Sequence, residues 1–154
     1  MRSRLIFILT LIFSINLNAQ DYFAPVESTG LPYILVVTDM SIDNHFPEGL
    51  GEIGVFDGDL CVGSASFDNF SGNNISVVAW QEDTSFGLDG FSPGNSITLK
   101  LWTEVFGEYY EFEANTYFSI GDGTFGSGNY SALSLDVDSG YSPEIILSSD
   151  QLSI

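Results

Sequence analysis

Residues 51–63 form two apolar-rich runs on either side of an Asp-Gly dipeptide, in the order Gly51-Glu52-Ile53-Gly54-Val55-Phe56-Asp57-Gly58-Asp59-Leu60-Cys61-Val62-Gly63. An Asp-Gly pair between two such runs is the strongest short-range sign of a β-hairpin. A two-residue turn at Asp57-Gly58 places Val55 opposite Leu60, with both side chains facing the core. The segment therefore predicts a pair of antiparallel strands.

A second hairpin is predicted where Gly107 and Glu108 separate two alternating runs, because glycine suits the first central position of a type II′ turn. This turn pairs Glu104 with Glu111 and places Trp102 on the same face, away from the core. The other face of the hairpin is mostly apolar. Polar residues on one face and apolar residues on the other are expected of a sheet with one buried side.

Short segments with alternating polarity recur along the rest of the chain, separated by Gly, Asn, Asp and Ser, and none has a convincing helical period. We therefore predict an all-β fold. Its expected form is an antiparallel β-sandwich, immunoglobulin-like or jelly-roll-like, with about seven to nine strands. The predicted strands are residues 33–38, 52–56, 59–67, 75–80, 97–105, 109–117 and 130–137.

The beginning of the 154-residue chain has the features of a secretion signal. Arg2 and Arg4 precede a short apolar run, and Ala19 offers a cleavage point. We predict a signal peptide over residues 1–20, a sandwich module over 21–139, and a linker or the start of a further strand or domain over 140–154. The mature chain is expected to be secreted, on a bacterial cell surface or in the periplasm, without insertion into the membrane.

The charge balance excludes one class of partner. The sequence has 21 acidic residues against three basic ones, a net charge of −18, and Lys100 is the one basic residue after the predicted signal peptide. Such a surface repels nucleic acids, since their binding depends on Lys and Arg contacts to phosphate.

Cys61 is the single cysteine, so no disulfide can form within the chain.

No catalytic residues are predicted. His45 is the only histidine, there is no Gly-x-Ser-x-Gly motif, and Cys61 lies in an apolar strand where a thiolate is unfavourable. Glu104 and Glu111 have the separation of the carboxyl pair in retaining glycosidases, but an open sheet face lacks the cleft that holds the sugar. A small hydrolase is therefore the weakest hypothesis, and the chain is predicted not to be an enzyme.

Several carboxylates are candidate calcium ligands, because Ca²⁺ binds carboxylate and carbonyl oxygens on hairpins and loops. No stretch matches a complete calcium-binding loop, so a solvated acidic surface and ordinary Asp-Gly turns are the alternative. The candidates are Glu104, Glu111 and Glu113 on the second hairpin, with Asp57, Asp59, Asp83, Asp89 and Asp122 in turns and loops.

An aromatic strip is the candidate ligand-binding surface. Strand parity places Trp102 on the outer face of its sheet, and Phe106 and Tyr109 extend the strip. An exposed tryptophan can stack on a pyranose ring or anchor a protein interface. The alternative is that a loop, such as residues 81–96, covers Trp102.

The sequence resembles a module of secreted multidomain bacterial surface proteins over roughly residues 30–137. The resemblance implies a β-sandwich that occurs beside adhesive, enzymatic or sorting domains, and it carries no site residues. It depends on Gly51-Glu52-Ile53-Gly54-Val55-Phe56-Asp57-Gly58 with Leu60-Cys61-Val62-Gly63, on Trp80 followed by Asp83, on Asp89-Gly90-Phe91 with Pro93-Gly94, on Leu101-Trp102 and on Gly121-Asp122-Gly123.

Two functional hypotheses remain. The leading one is a non-enzymatic extracellular module for surface assembly or adhesion, acting on a surface protein or a glycan through its edges and loops. The alternative is a carbohydrate-binding module centred on Trp102 and Tyr109, with calcium as a structural ion.

Overall fold

The computed structural model of the chain describes residues 22–140. The predicted signal peptide and residues 141–154 of the predicted tail lie outside this range. Within it, no helix is long and apolar enough to cross a membrane. The chain forms β1 (Pro32–Ile42), β2 (Leu50–Asp57), β3 (Leu60–Asp68), β4 (Ile75–Trp80), β5 (Thr98–Val105), β6 (Glu108–Glu113), β7 (Asn115–Ile120) and β8 (Tyr130–Val137).

These eight strands form two four-stranded sheets, which confirms the predicted all-β sandwich. The first sheet has the order β4-β1-β8-β7 and the second has the order β3-β2-β5-β6. Neighbouring strands are antiparallel except for β1 and β8, which run parallel. This parallel pair joins the beginning and the end of the described domain, within sheets that are otherwise antiparallel.

The core lies between the inner faces of the two sheets. Alternate residues of β1, β2, β5 and β8 face inward and are almost fully buried, as the alternation in the sequence predicts. Two loop residues, Phe91 and Phe125, add stacked rings at a centroid distance of 4.3 Å. Burial on this scale is the main stabilising contribution to such a domain. The inward residues include Leu35, Val37, Ile53, Val55, Leu99, Leu101, Leu133 and Leu135.

The predicted strand over residues 109–117 is divided at Ala114. The backbone N–H of Ala114 donates to the carbonyl of Leu99 at 3.0 Å, and the chain passes there from β6 in the second sheet to β7 in the first. Polar and apolar residues alternate through this point without a glycine or proline. The sequence therefore carried no signal for the change of sheet.

The first hairpin has a different register from the predicted one. Asp57 pairs with Leu60, so the loop is Gly58-Asp59, with Gly58 at a φ of 59°. A bulge in β3 follows, and it allows both Cys61 and Val62 to be buried. Val55 is in the core as expected. Leu60 was predicted to be in the core but is 38% exposed, because its partner is Asp57 at the rim of the sheet.

The second hairpin turns at Phe106-Gly107 rather than at Gly107-Glu108, since Val105 pairs with Glu108. Both turn residues have a positive φ, 53° and 85°, as in a type I′ turn, whose twist matches that of the flanking strands. Moving the turn by one residue shifts the strand pairing by two, so each side chain keeps its predicted face but changes its partner. Glu111 lies opposite Trp102, so the predicted pairing of Glu104 with Glu111 is wrong.

Candidate binding surfaces

Trp102 is on the outer face of β5, as predicted, but its ring is enclosed. Tyr22 stacks on one side at a centroid distance of 4.8 Å, and Tyr109 stacks on the other at 4.5 Å. The interplanar angles are 10° and 15°. A pyranose therefore cannot stack on the indole without displacing a tyrosine. The two outer rings of the stack are both partly open, Tyr22 at 47% and Tyr109 at 45% exposure.

The segment that precedes β1 crosses the outer face of the second sheet. Phe23 packs with Phe56 and Cys61 in a small cluster that Trp102 joins, and the N–H of Val26 donates to the carbonyl of Cys61 at 3.0 Å. Burial raises the pKa of the Cys61 thiol, which disfavours a nucleophilic thiolate. This covering segment was missed at the sequence level, because residues 22–31 have no strand-like alternation.

Glu111 holds the stack in place from one side. Its carboxylate accepts hydrogen bonds from Lys100 Nζ at 2.8 Å and from Tyr22 Oη at 3.0 Å. The Lys100 hydrogen bond is the main reason that the pKa of Glu111 lies below its usual range. Lys100 also lies 5.0 Å from the centroid of the Phe56 ring. Glu111 therefore has a structural role that needs no metal ion.

Several other predicted calcium ligands also accept internal hydrogen bonds. Asp57 accepts bonds from Ser92 N at 2.9 Å and from Asn95 Nδ2, and so ties the first hairpin to a distant loop. Asp83 accepts a bond from Ser85 N at 3.0 Å. These contacts are within the chain and stabilise turns.

Asp122 is held in the same way. It accepts bonds from the N–H of Thr124 and from its hydroxyl at 2.7 Å, and the hydroxyl bond is the main reason that the pKa of Asp122 is lowered. Asp59 and Asp89 are exposed on loops, Glu104 is exposed near the end of β5, and Glu113 lies opposite Lys100. Across residues 22–140, no three side chains of His, Cys, Asp or Glu come together to hold a metal ion.

We expect Ca²⁺ to leave the midpoint of thermal unfolding, Tm, of residues 21–154 unchanged relative to a chelator. A cation at one hundred times its dissociation constant stabilises a protein by about 2.7 kcal/mol. For a domain of this size, that gain raises Tm by several degrees. Differential scanning calorimetry with excess Ca²⁺ and with chelator makes the comparison, and a rise of several degrees would show that some of these carboxylates bind the ion.

One end of the sandwich carries an open groove of about 740 Å³. Its walls come from the end of β1 and the loop that follows it, from Asn69 after β3, and from the end of β5 with the β5–β6 turn. Phe46 lines it at 52% exposure and packs edge-on against the buried Phe70 at 5.5 Å, so its ring is supported from below. Phe106 forms the opposite rim at 78% exposure and also lines a smaller groove of about 320 Å³.

Acidic side chains surround this groove. Asp43, Glu48 and Glu104 line it, and His45 directs Nδ1 to the carbonyl of Asp43 at 2.8 Å. The hydroxyl of Ser139 donates a hydrogen bond to the Asp43 carboxylate, which lowers the pKa of Asp43. The groove thus combines exposed aromatic rings with negative charge.

Phe106 has an unfavourable backbone conformation for its type. Its φ of 53° lies in the left-handed region, where glycine and asparagine are common and a bulky side chain is an outlier. Strained residues of this kind occur most often at sites of binding or catalysis. Phe106 was part of the predicted strip, whereas Phe46 was missed. The sequence did contain one sign of the unusual turn, because it has Phe106-Gly107 at a position where two-residue hairpin turns usually have Asn-Gly.

The described chain is thus a two-sheet β-sandwich with exposed aromatic rings at an acidic end, and with others, such as Phe86 and Tyr117, elsewhere on its surface. No family model matches the sequence, and comparisons with known proteins and with solved structures also find no match.

Proposed function

We propose that the chain is a non-enzymatic, secreted module for surface assembly or adhesion, which binds its partner at the groove between Phe46 and Phe106. The observation that carries the proposal is Phe106, a 78%-exposed aromatic ring at the rim of an open groove, in a backbone conformation that disfavours it. Aromatic anchors of this kind dominate the binding energy of protein interfaces. The resemblance to modules of secreted bacterial surface proteins agrees with such a role.

The charge around the groove defines the kind of partner. Asp43, Glu48 and Glu104 surround the two rings, and the chain as a whole has a net charge of −18. A complementary surface presents an apolar side chain flanked by lysine or arginine, because opposite charges speed association and exclude acidic competitors. We therefore propose a basic segment of a surface protein as the partner.

A displayed peptide library tests the proposal with residues 21–154 as the target. We expect the selected peptides to combine an aromatic or aliphatic residue with Lys or Arg, and to bind more weakly as salt increases. Phe106→Asn should reduce their affinity at least about tenfold. Phe86→Asn is the matched control, since Phe86 is 80% exposed and does not line the groove. Selected peptides that bind both variants equally well would contradict the proposal.

The carbohydrate-binding alternative depends on Tyr109. Its ring is 45% exposed at one end of the stack with Trp102, and it lies on the same hairpin as Phe106. Under this alternative, Tyr109→Ala abolishes retention on insoluble glycans while Phe46→Ala does not. If the parent chain and its variants are all not retained on glycans, the carbohydrate-binding alternative is rejected and the protein-binding proposal stands.

A further inference from the structure

The outer face of the first sheet presents apolar side chains to the surface. On β1, Ile34 and Val36 point outward, because they alternate with Leu35 and Val37, which are fully buried. Residues paired between neighbouring strands share a face, so the register continues this surface onto the other three strands. Two rows of side chains cross the sheet here, and together we call them the outer apolar face. One row is Val78, Ile34 and Tyr130, and the other is Val36, Ala132 and Ile120.

These side chains do not belong to the core of the domain. Within the described part of the chain, neither of the two clusters of packed hydrophobic residues includes any of them. Tyr130 and Ile120 are 41% and 43% exposed, and Tyr117, which points outward beside them on the edge strand β7, is 60% exposed. The second sheet differs, because the segment that precedes β1 crosses its outer face and Tyr22 covers Trp102. Extended apolar patches on a surface mark sites that bind another molecule.

The distribution of charge indicates which molecule this is. The chain has 21 acidic residues against three basic ones, yet neither row contains a charged side chain. The acidic residues of the sheet lie nearer its other end, where Asp39 pairs with Ser134 and Asp136 pairs with Ser41. Two copies that approach through acidic surfaces bring carboxylates against carboxylates, which opposes association. Through the outer apolar face they do not, so its lack of charge favours a second copy as the partner.

The symmetry and size of the face also suit a dimer. A twofold interface uses the same patch on both copies, and an uncharged apolar surface is complementary to itself. β4 and β7 are each six residues long and form the two edges of the four-stranded sheet. With about 4.8 Å between strands and about 3.3 Å per residue, the face measures roughly 20 Å by 20 Å. Two such faces cover on the order of 800 Å² in projection, and because side chains make them uneven, the accessible area buried approaches the lower limit for a specific interface.

We propose that the outer apolar face is an interface between two copies of this chain, which pack sheet on sheet about a twofold axis. The modest area predicts a dimer that dissociates in the micromolar range. No side chain of the two rows lines the groove between Phe46 and Phe106, so association does not use the groove. The dimer then carries two grooves, which bind a repeating partner on a surface more tightly than one groove does. The inference goes beyond the proposed function and does not depend on it.

Sedimentation velocity of residues 21–154 between about 1 μM and about 1 mM tests whether the dimer exists. We expect the average mass to rise with concentration from that of the monomer towards twice that value. Higher salt should favour the dimer, because it screens the repulsion between two acidic copies. This response is opposite to the one expected for basic peptides in the groove. A chain that stays monomeric over the whole range would overturn the inference and assign the face to a different occupant.

Two substitutions test whether the dimer forms through the outer apolar face. Ile34→Glu places a carboxylate from each copy in the middle of the sheet, and we expect it to abolish the dimer. Tyr117→Ser removes a 60%-exposed ring from an edge strand, so the domain should keep its fold. We expect its dimer dissociation constant to rise about tenfold or more. Circular dichroism shows whether each variant folds, and if Ile34→Glu does not, Tyr117→Ser decides alone.

Leu60→Glu is the matched control for the added charge. Leu60 is a partly exposed leucine of the second sheet, so its replacement introduces the same carboxylate away from the outer apolar face and should leave the dimer intact. A dimer that forms equally well in folded Ile34→Glu and Tyr117→Ser proteins must use another surface, and that result would contradict the inference.

Discussion

Replacement of Gly63 by alanine should lower Tm by roughly 10 °C or more, a large effect for the addition of a single methyl group. A Cβ at Gly63 would lie 2.2 Å from the carbonyl oxygen of Val78 and 2.9 Å from Cα of Ala79. These are backbone atoms of β4, so no side-chain rotation can relieve the overlap. The two strands belong to different sheets, and the glycine lets them approach at the edge of the sandwich.

The expected loss corresponds to about 3 kcal/mol, at the upper end of the range for overpacking a well-packed site. Ser64→Ala is the control, because Ser64 is the next residue of the same strand and its replacement adds no atom. Its effect should stay within about 0.5 kcal/mol, as for most substitutions away from packed sites. Thermal and urea unfolding of the three proteins measure both effects. A Gly63→Ala protein as stable as its parent would contradict the close contact of β3 with β4.

Phe106→Asn should change stability and binding in opposite directions. Asparagine is several-fold enriched in the left-handed region, and Asn-Gly is the preferred pair of a type I′ turn. The parent chain has Phe106 there at a φ of 53°, followed by Gly107 at 85°. We expect the substitution to stabilise the domain by about 1 kcal/mol, which is a rise in Tm of a few degrees. The same variant should bind the selected basic peptides at least about tenfold more weakly.

This combination separates a binding residue from a structural one. A side chain retained for packing lowers stability when it is removed, whereas a strained binding residue raises it. Phe86→Asn should change neither quantity appreciably, because Phe86 is exposed away from the groove and has no positive φ. A Phe106→Asn protein that is less stable and binds equally well would show that the ring serves the fold.

The strands and their faces could be predicted from the sequence because alternation reports directly which side of a sheet is buried. Val55 is inside and Trp102 faces outward, as the pattern required. Register was less predictable. Turns at Gly107-Glu108 and at Phe106-Gly107 put every side chain on the same face, since moving the turn by one residue changes each cross-strand partner by two, so the pattern could not distinguish them. The choice of turn nevertheless decided that Glu104 and Glu111 are not opposite each other.

The candidate sites were harder to predict because they depend on contacts between distant segments. Tyr22 covers Trp102 from 80 positions away in the sequence, and nothing in the local pattern of either residue indicates the contact. Asp57 accepts a hydrogen bond from Asn95, and nothing in the local sequence indicates that these two loops lie side by side. Phe106 was included in the strip for its aromatic ring alone. The strain that now distinguishes it is a property of the turn.

The most direct test of the proposed binding surface is to map amide chemical-shift changes in ¹⁵N-labelled residues 21–154 during titration with a selected basic peptide. The account predicts that the largest changes occur at residues 42–49 and 104–107, which include both walls of the groove, and that they disappear in Phe106→Asn. Changes centred instead on Tyr22, Trp102 and Tyr109 would place binding on the outer face of the sheet and contradict the account.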